Sequence, residues 1–513
     1  MRRVAPVRDR AAVVFAASLL LGAPAAAWSF SSPFAPPEES DRVFLVDEGP
    51  GLDTGCTYRS GGPLEFAIPI DRYVGETDGN GNLRNAGSLV SEGIVSASAT
   101  LNLPAFDVDD DAPSQVIEVE GVEVEISPEH DRVYLNGEPL GALDGADGQW
   151  RLNTFTVPIE KLRFPSARGA NGAPPDAALN TVTIDIDVDN TIEAWCVSID
   201  WGALDFKAMS PVILIHGNSS NGAFWERQGF VDRFEAIRLP FDNSISMSNA
   251  TVADHGDLLS ALIPPIVASF GVDSVHLVAH SKGGLDSRDY LATFYDDAGG
   301  DFEVLSLTTV STPHRGTSAA DLGMAVDQGL TVFGVQSGVN LLAALVGVDA
   351  GTPNLTTWFA QGFNATNVPS LPAGIDYRAV GADADRNGSD TIDLFEEYES
   401  SLSESSSLSS IQSVSSSMAT DIMNKLYRLL RETARVDIIG DPAAGYALGQ
   451  AIPGGAPNDT LVPIPSALGP NFVPIATFTG LDGRDHAAVA DADVAAAVVP
   501  QLKATESANG DFQ

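Results

Sequence analysis

Ser281 stands in Ala279-His280-Ser281-Lys282-Gly283-Gly284, directly after the apolar run Val275-His276-Leu277-Val278 and ahead of residues with helical character. A serine on a sharp strand-to-helix turn has its hydroxyl held out of the sheet, and the first amide of the helix can stabilise an oxyanion. Small neighbours are a steric need of that turn. Ala279 and Gly283 fill those two places, giving G-x-S-x-G with alanine for the first glycine. The chemistry implied is nucleophilic acyl transfer, which also needs a base and an acid to orient the base. Of the seven histidines only His314 and His486 lie beyond Ser281, and on such a sheet the order runs Ser, acid, His. His314 follows a strand too closely to leave room for an acid, so His486, in Gly-Arg-Asp-His-Ala before a final helix, is the expected base. Asp459, in Asn-Asp-Thr-Leu-Val-Pro, is the preferred acid, with Asp441 and Asp383 left open. Two donors must face the oxyanion. The amide of Lys282 supplies one, and that of Asn218, after His216-Gly217 at the end of an apolar strand, supplies the other.

These groups call for a particular scaffold. From Pro211 the chain reads as an α/β domain of the doubly wound type with a mostly parallel sheet: PVILIHG is a strand buried on both faces, followed by a short strand at Ala236 to Leu239 and a helix from Asp254 to Phe270. The serine strand, a strand at Val304 to Val310 and another at Ile375 to Val380 complete the pattern, with a last helix from Val489 to Leu502. From Arg42 to about Ala208 the chain is instead short alternating runs separated by Asn-Gly and Asp-Gly turns, among them Val116 to Ile126, Trp150 to Ile159 and Thr181 to Val188. That pattern predicts an all-β sandwich. The run from Arg132 to Val188 resembles galactose-binding-like jelly rolls, which implies a jelly-roll-like fold and leaves any ligand of the sandwich unknown.

The organisation expected is therefore a signal peptide at 1–27, a Ser/Pro/Phe-rich tether at 28–41, the β-sandwich at 42–208 and the catalytic domain at 209–513. Proteases are expected to cut at the junction near Asp205 to Ser210 or in the Ser-rich stretch Ser401 to Ser417. The leader has four arginines, an apolar run and Ala25-Ala26-Ala27, a secretory layout that predicts a secreted or periplasmic protein. There Cys56 and Cys196, the only cysteines, can oxidise and join the first and last strands of the sandwich. Residues 319–348 are apolar and amphipathic, either core helix or a lid, and 396–417 is a Ser-rich insertion. Sixty-nine acidic against 28 basic residues give a net charge of −41, which excludes sequence-independent nucleic-acid binding.

The catalytic half resembles secreted bacterial triacylglycerol lipases and esterases of the α/β-hydrolase fold. The matching pieces are ILIHGN, HLVAHSKGGLDSR, VSTPHRGTSAAD, FNATNVPSLPAGIDY, NDTLVP and GRDHAAV. The resemblance implies a serine ester hydrolase acting on lipid or other ester substrates, with Ser281 as nucleophile, Asp459 as acid, His486 as base, and Asn218 and Lys282 as the oxyanion hole. It implies no required cofactor. Two departures stand out: Ala488 occupies a position where many relatives place a calcium-binding aspartate, and no cysteine lies beyond Cys196. Asp383, Asp385, Asn387 and Asp390 copy the start of a calcium loop, but Leu394 stands where a bidentate glutamate is required, and an acidic turn that binds nothing is the preferred reading. The rivals to a lipase are an esterase or polyester depolymerase on the same triad and an inactive, hydrolase-like binding protein.

Overall fold

The computed structural model describes residues 31–40, 42–119, 121–296, 300–317, 320, 321, 324, 349–382, 459, 461–478 and 486–508. The leader 1–27, nearly all of 319–348, the Ser-rich stretch 396–417, Asp441 and the run from Asp383 to Asp390 lie outside the described residues.

The N-terminal half is built of β1 (Val43–Val46), β2 (Thr57–Tyr58), β3 (Leu64–Ile70), β4 (Ser98–Phe106), β5 (Gln115–Val119), β6 (Val122–Ile126), β7 (Arg132–Leu135), β8 (Glu138–Ala142), β9 (Trp150–Pro158), β10 (Ala178–Asp185), β11 (Cys196–Ile199) and β12 (Gly202–Asp205). One antiparallel sheet runs β1-β12-β4-β11-β2 with β9 also on β4, and a second runs β3-β10-β7-β8. Alternation sets the faces: in β3, Leu64, Phe66, Ile68 and Ile70 are buried, and opposite them Val182 and Ile184 of β10 point the same way. These residues join Leu101 and Leu103 of β4 in one apolar core shared by both sheets. A Cβ on Gly202 of β12 would come 2.5 Å from the Phe66 ring of β3, so the close approach of the sheets requires glycine there.

Four expectations change for this half and its junction with the next. The run Val116 to Ile126 joins neither sheet; β5 and β6 form a hairpin of their own, with Val116 64% and Val122 63% exposed. Its period-two pattern is real, but it specifies only a pairing, not a cover. Part of the expected tether is docked, since the Ser32 amide donates to Asp200 Oδ2 at 2.7 Å and Trp201 Nε1 donates to the Phe34 carbonyl at 3.1 Å. The disulfide Cys56–Cys196, with Cα atoms 5.3 Å apart, joins β2 to β11. The first and last strands, β1 and β12, pair with each other at the opposite edge of the same sheet. Finally, the junction is packed: Phe206, Met209 and Ser210 are buried, and the Ser210 amide donates to Glu506 Oε1 at 2.7 Å. Buried Glu506 also takes Arg42 Nη2 at 3.0 Å and lies 3.2 Å from His276 Nε2.

The C-terminal half is mixed α/β. β13 (Val212–Ile215), β14 (Phe241–Asp242), β15 (Ser274–His280), β16 (Glu303–Val310), β17 (Asp376–Ala382) and β18 (Val473–Phe478) form a six-stranded sheet, order β14-β13-β15-β16-β17-β18, with every pairing parallel. β13 and β15 are buried along their whole length, as parallel strands covered on both faces must be. The helix Val252–Phe270 starts from a capping box between Thr251 and Asp254 and stops at left-handed Gly271. The strand expected at Ala236 to Leu239 is one helix and one turn out of place. Phe230, Val231, Phe234 and Ile237 share the buried face of a helix that ends at left-handed Arg238, and the strand is Phe241–Asp242. Among the described residues no helix is long and apolar enough to cross a membrane.

Candidate active site

Ser281 sits where β15 ends and the helix Lys282–Thr293 begins, at φ 54° and ψ −129°, a conformation that a side chain rarely adopts and that surrounding contacts must hold. Its amide stays in the sheet, donating to the Val310 carbonyl of β16 at 2.9 Å. The small neighbours are required by contact. A Cβ on Gly283 would lie 2.4 Å from the His216 carbonyl oxygen, and one on Gly217 would lie 2.7 Å from Ser281 Cβ.

His486 precedes the last helix and reaches both partners. Its Nε2 is 2.8 Å from Ser281 Oγ, and its Nδ1 is 2.8 Å from Asp459 Oδ2. Asp459 is fully buried, and its other oxygen accepts from the amides of Leu461 at 3.0 Å and Val462 at 2.6 Å. With Oδ1 fixed by the backbone, Oδ2 is left to the imidazole, which favours the tautomer whose Nε2 can take a proton from serine.

His280 is a further contributor that the sequence pattern left unassigned. Its Nε2–H donates to the carbonyl of His486 at 2.7 Å, and its ring packs on Phe224 at 4.6 Å and on His486 at 4.8 Å. Burial first, and then the neighbouring His486, hold its pKa well below the ordinary histidine value, so it is a neutral prop for the His486 backbone. His314, discounted as a base, is fully buried against Phe472 and bonded to Thr309 and Arg288.

Lys282 is the first residue of its helix, so its amide has no acceptor within the helix. Its side chain turns away into the protein, with Nζ 2.7 Å from Asp286 Oδ1 and 2.8 Å from His255 Nδ1, all three residues buried. Asn218 follows Gly217 at the end of β13. His216 braces this turn, its Nδ1 2.8 Å from the Gly217 oxygen and its Nε2 accepting from the Met247 amide at 3.0 Å.

Asp349, which sequence reasoning missed, grips the same turn. Its carboxylate accepts from Asn218 Nδ2 at 2.9 and 3.1 Å, from Ser219 Oγ at 3.0 Å, and from the amides of Gly351 at 2.9 Å and Thr352 at 3.1 Å. Burial pushes its pKa up, but the donors led by Asn218 outweigh that and hold it below the usual 3.8. No local signal in the sequence could have found it, since 131 residues separate it from Asn218. A cleft of about 460 Å³ at Tyr73, Leu89, Arg168, Leu239 and Phe270 lies between the two halves, and none of Ser281, Asp459 or His486 lines it.

No protein-family model matches the chain. It is similar to lipases over part of its length. A triacylglycerol lipase of Pseudarthrobacter phenanthrenivorans is 31% identical over 150 residues, 26% of this chain and 44% of that protein. One of Burkholderia plantarii is 31% identical over 150 residues, 26% of this chain and 39% of its own length. The chain therefore spans less than half the length of these curated relatives. Among solved structures, the mature lipase BlEst2 of Bacillus licheniformis matches with a TM-score of 0.37 and 18% identity, over 57% of this chain and 92% of that one.

Proposed function

We propose that this chain is an exported serine hydrolase of carboxylic esters, of the lipase and esterase class, which cleaves acylglycerols through an acyl-enzyme. The scaffold proposed is an α/β-hydrolase domain, 209–513, behind a jelly-roll-like β-sandwich, 42–208. The observation that carries the reading is the hydrogen-bonded line from Asp459 through His486 to Ser281, 2.8 Å at each step, at the C-terminal ends of a parallel sheet. The similarity to proteins named triacylglycerol lipase supports the substrate class. Export rests on the leader 1–27, and the disulfide agrees with an oxidising compartment.

In this mechanism His486 Nε2 accepts the Ser281 proton as Oγ bonds to the ester carbonyl carbon, and Asp459 stabilises the imidazolium. The amides of Lys282 and Asn218 donate to the oxyanion, which needs both aimed at a point near Ser281 Oγ. When the tetrahedral species collapses, the carbon–oxygen bond to the alcohol breaks and His486 returns the proton to that alcohol. Water, deprotonated by His486, then attacks the acyl-serine; as the second tetrahedral species collapses, the bond between the acyl carbon and Ser281 Oγ breaks, the acid leaves, and His486 returns the proton to Oγ. None of these steps calls for a cofactor.

The test is hydrolysis of p-nitrophenyl esters, emulsified triglyceride and polyester film by the wild type and by Ser281→Ala. Triglyceride turnover that vanishes in the variant, with circular dichroism unchanged, is the expected outcome. Substantial activity in Ser281→Ala would sink the assignment, and turnover confined to short soluble esters or to the film would replace the lipase reading with its rivals.

A further inference from the structure

The far end of the N-terminal half carries a second concentration of reactive groups, unconnected with Ser281. β4 ends at Phe106, which pairs with Trp150, and the chain then turns through Asp107 at φ 66°. Asp107 Oδ1 accepts from the Gly148 amide at 2.6 Å. Its Oδ2 lies 3.6 Å from Cys196 Sγ and 3.8 Å from Cys56 Sγ. Both sulfurs are in the disulfide and carry no proton, so these are packing contacts and Oδ2 receives no hydrogen bond from them.

Asp109, two residues on, is only 8% exposed, and the hydrogen bonds it makes among the described residues run through its backbone N–H and carbonyl. The charges that act on it are those of Asp107, Asp147, Asp111 and Asp110, every one negative. Neither connecting stretch, 107–114 or 143–149, contains a lysine or arginine. Arg151, just beyond, is engaged by Asp144 at 3.1 Å. Behind Asp109, its amide donates to Glu129 Oε2 at 2.7 Å; burial, and then the neighbouring Asp131, push the Glu129 pKa up to about 10, so this side chain brings no compensating positive charge.

A carboxylate held mostly out of water among like charges is destabilised, burial and those charges pushing its pKa up to about 6, and a cation placed among them would relieve it. The geometry specifies which. One oxygen from each of Asp107, Asp109 and Asp147 lies within 4.8 Å of the others. Calcium takes oxygens at about 2.3–2.6 Å, so two ligands of a single ion are at most about 5 Å apart, as these are. The donors are carboxylates alone, because the disulfide removes both thiolates, and a set of hard oxygens selects calcium over zinc or copper. We propose that Asp107, Asp109 and Asp147 hold a calcium ion. Bound there, it ties the connection after β4 to the connection before β9, beside the disulfide that fixes β2 to β11.

The experiment is thermal unfolding of the full chain and calorimetric titration, both after chelation and with CaCl₂ added back. At CaCl₂ about 100-fold above the dissociation constant, the unfolding midpoint of the wild type should rise by roughly 5 °C or more. Asp109→Asn keeps the shape and removes the unpaired charge. It should unfold above the chelated wild type yet gain nothing from CaCl₂, a sign reversal that a merely structural carboxylate would not produce. Asp147→Ala, at an exposed position, should fold normally and bind CaCl₂ at least tenfold more weakly. Terbium, a luminescent calcium substitute, should be sensitised through Trp150 in the wild type and not in Asp147→Ala. Two results overturn the proposal: a wild type whose midpoint ignores millimolar CaCl₂, which would mean that protons hold the cluster, or a calcium response kept in full by both variants, which would put the ion elsewhere.

Discussion

Removing the Asp349 carboxylate tests whether the turn bearing Asn218 must be held for chemistry rather than for folding. In Asp349→Ala, Asn218 Nδ2 and Ser219 Oγ lose their acceptor, and the amides of Gly351 and Thr352 turn to water. Only one of the two proposed oxyanion donors rides on this turn, so the ceiling is the loss of one donor, about 10²–10³ in kcat. The turn keeps other supports, namely the Ser219 amide on Asn249 Oδ1 at 2.9 Å and the His216 brace. The expected loss is therefore a fraction of the ceiling, about 10- to 50-fold in kcat with KM within about threefold, since ground-state binding of the ester does not use this donor. Asp349→Asn should be no better, because its amide sets an NH₂ against the same donors. Stability should fall by about 1–2 kcal/mol, as for charge-assisted bonds that water can partly replace. The assay is steady-state hydrolysis of a p-nitrophenyl ester, corrected for active enzyme by phosphonate titration of Ser281. A variant that unfolds earlier but keeps wild-type kcat per titrated site would refute the reasoning.

Asp459→Asn should lower turnover about 10⁴-fold by favouring the wrong tautomer of His486, whereas Asp441→Asn and Asp383→Asn should stay within about tenfold of wild type in the same assay; the reverse pattern would move the acid. Glu506 is held below its usual 4.5: burial raises it, but His276, the Ser210 amide and Arg42 outweigh burial. A depressed folded pKa contributes stability that is full above about 4.5 and lost as pH falls through the folded value, so Glu506→Gln should cost about 2–3 kcal/mol at neutral pH and progressively less in acid denaturation series. Non-reducing mass mapping should find Cys56 linked to Cys196, and reduction should cost up to about 5 kcal/mol for so long a loop; two alkylatable thiols in native protein would contradict it. Limited proteolysis should spare Asp205 to Ser210 because its partners bury it, and early cleavage there would show the junction to be looser than drawn.

What could be read without coordinates followed from local pattern. The continuous apolar runs of β13 and β15 and the small residues around Ser281 report constraints that act within a few residues, so the strand, turn and helix were legible. Where two local patterns overlap, the reading failed: Ile237 and Leu239 alternate like a strand, yet Ile237 completes the buried face of a helix. Alternation also revealed β5 and β6 without revealing that no sheet among the described residues covers them. The choice between Asp459, Asp441 and Asp383 rested on order along the chain; Asp459 lies 2.8 Å from His486 Nδ1, and the other two are outside the described residues. Contacts such as Asp349 with Asn218, or the acidic convergence at Asp109, join segments whose sequences carry no mark of one another.

Glu506 has a consequence for how the molecule is made. Its carboxylate serves Arg42, 464 residues earlier, Ser210, 296 earlier, and His276, 230 earlier. A growing chain can lay down the early antiparallel strands and the serine turn, but until residue 506 has been synthesised three separate places each wait for the same missing acceptor. One late side chain therefore completes three bonds at once, and a chain stopped a few residues short of it would carry every group of the proposed triad while its halves were held only by their remaining contacts, such as Arg168 with Asp242 and Arg233 with Glu92.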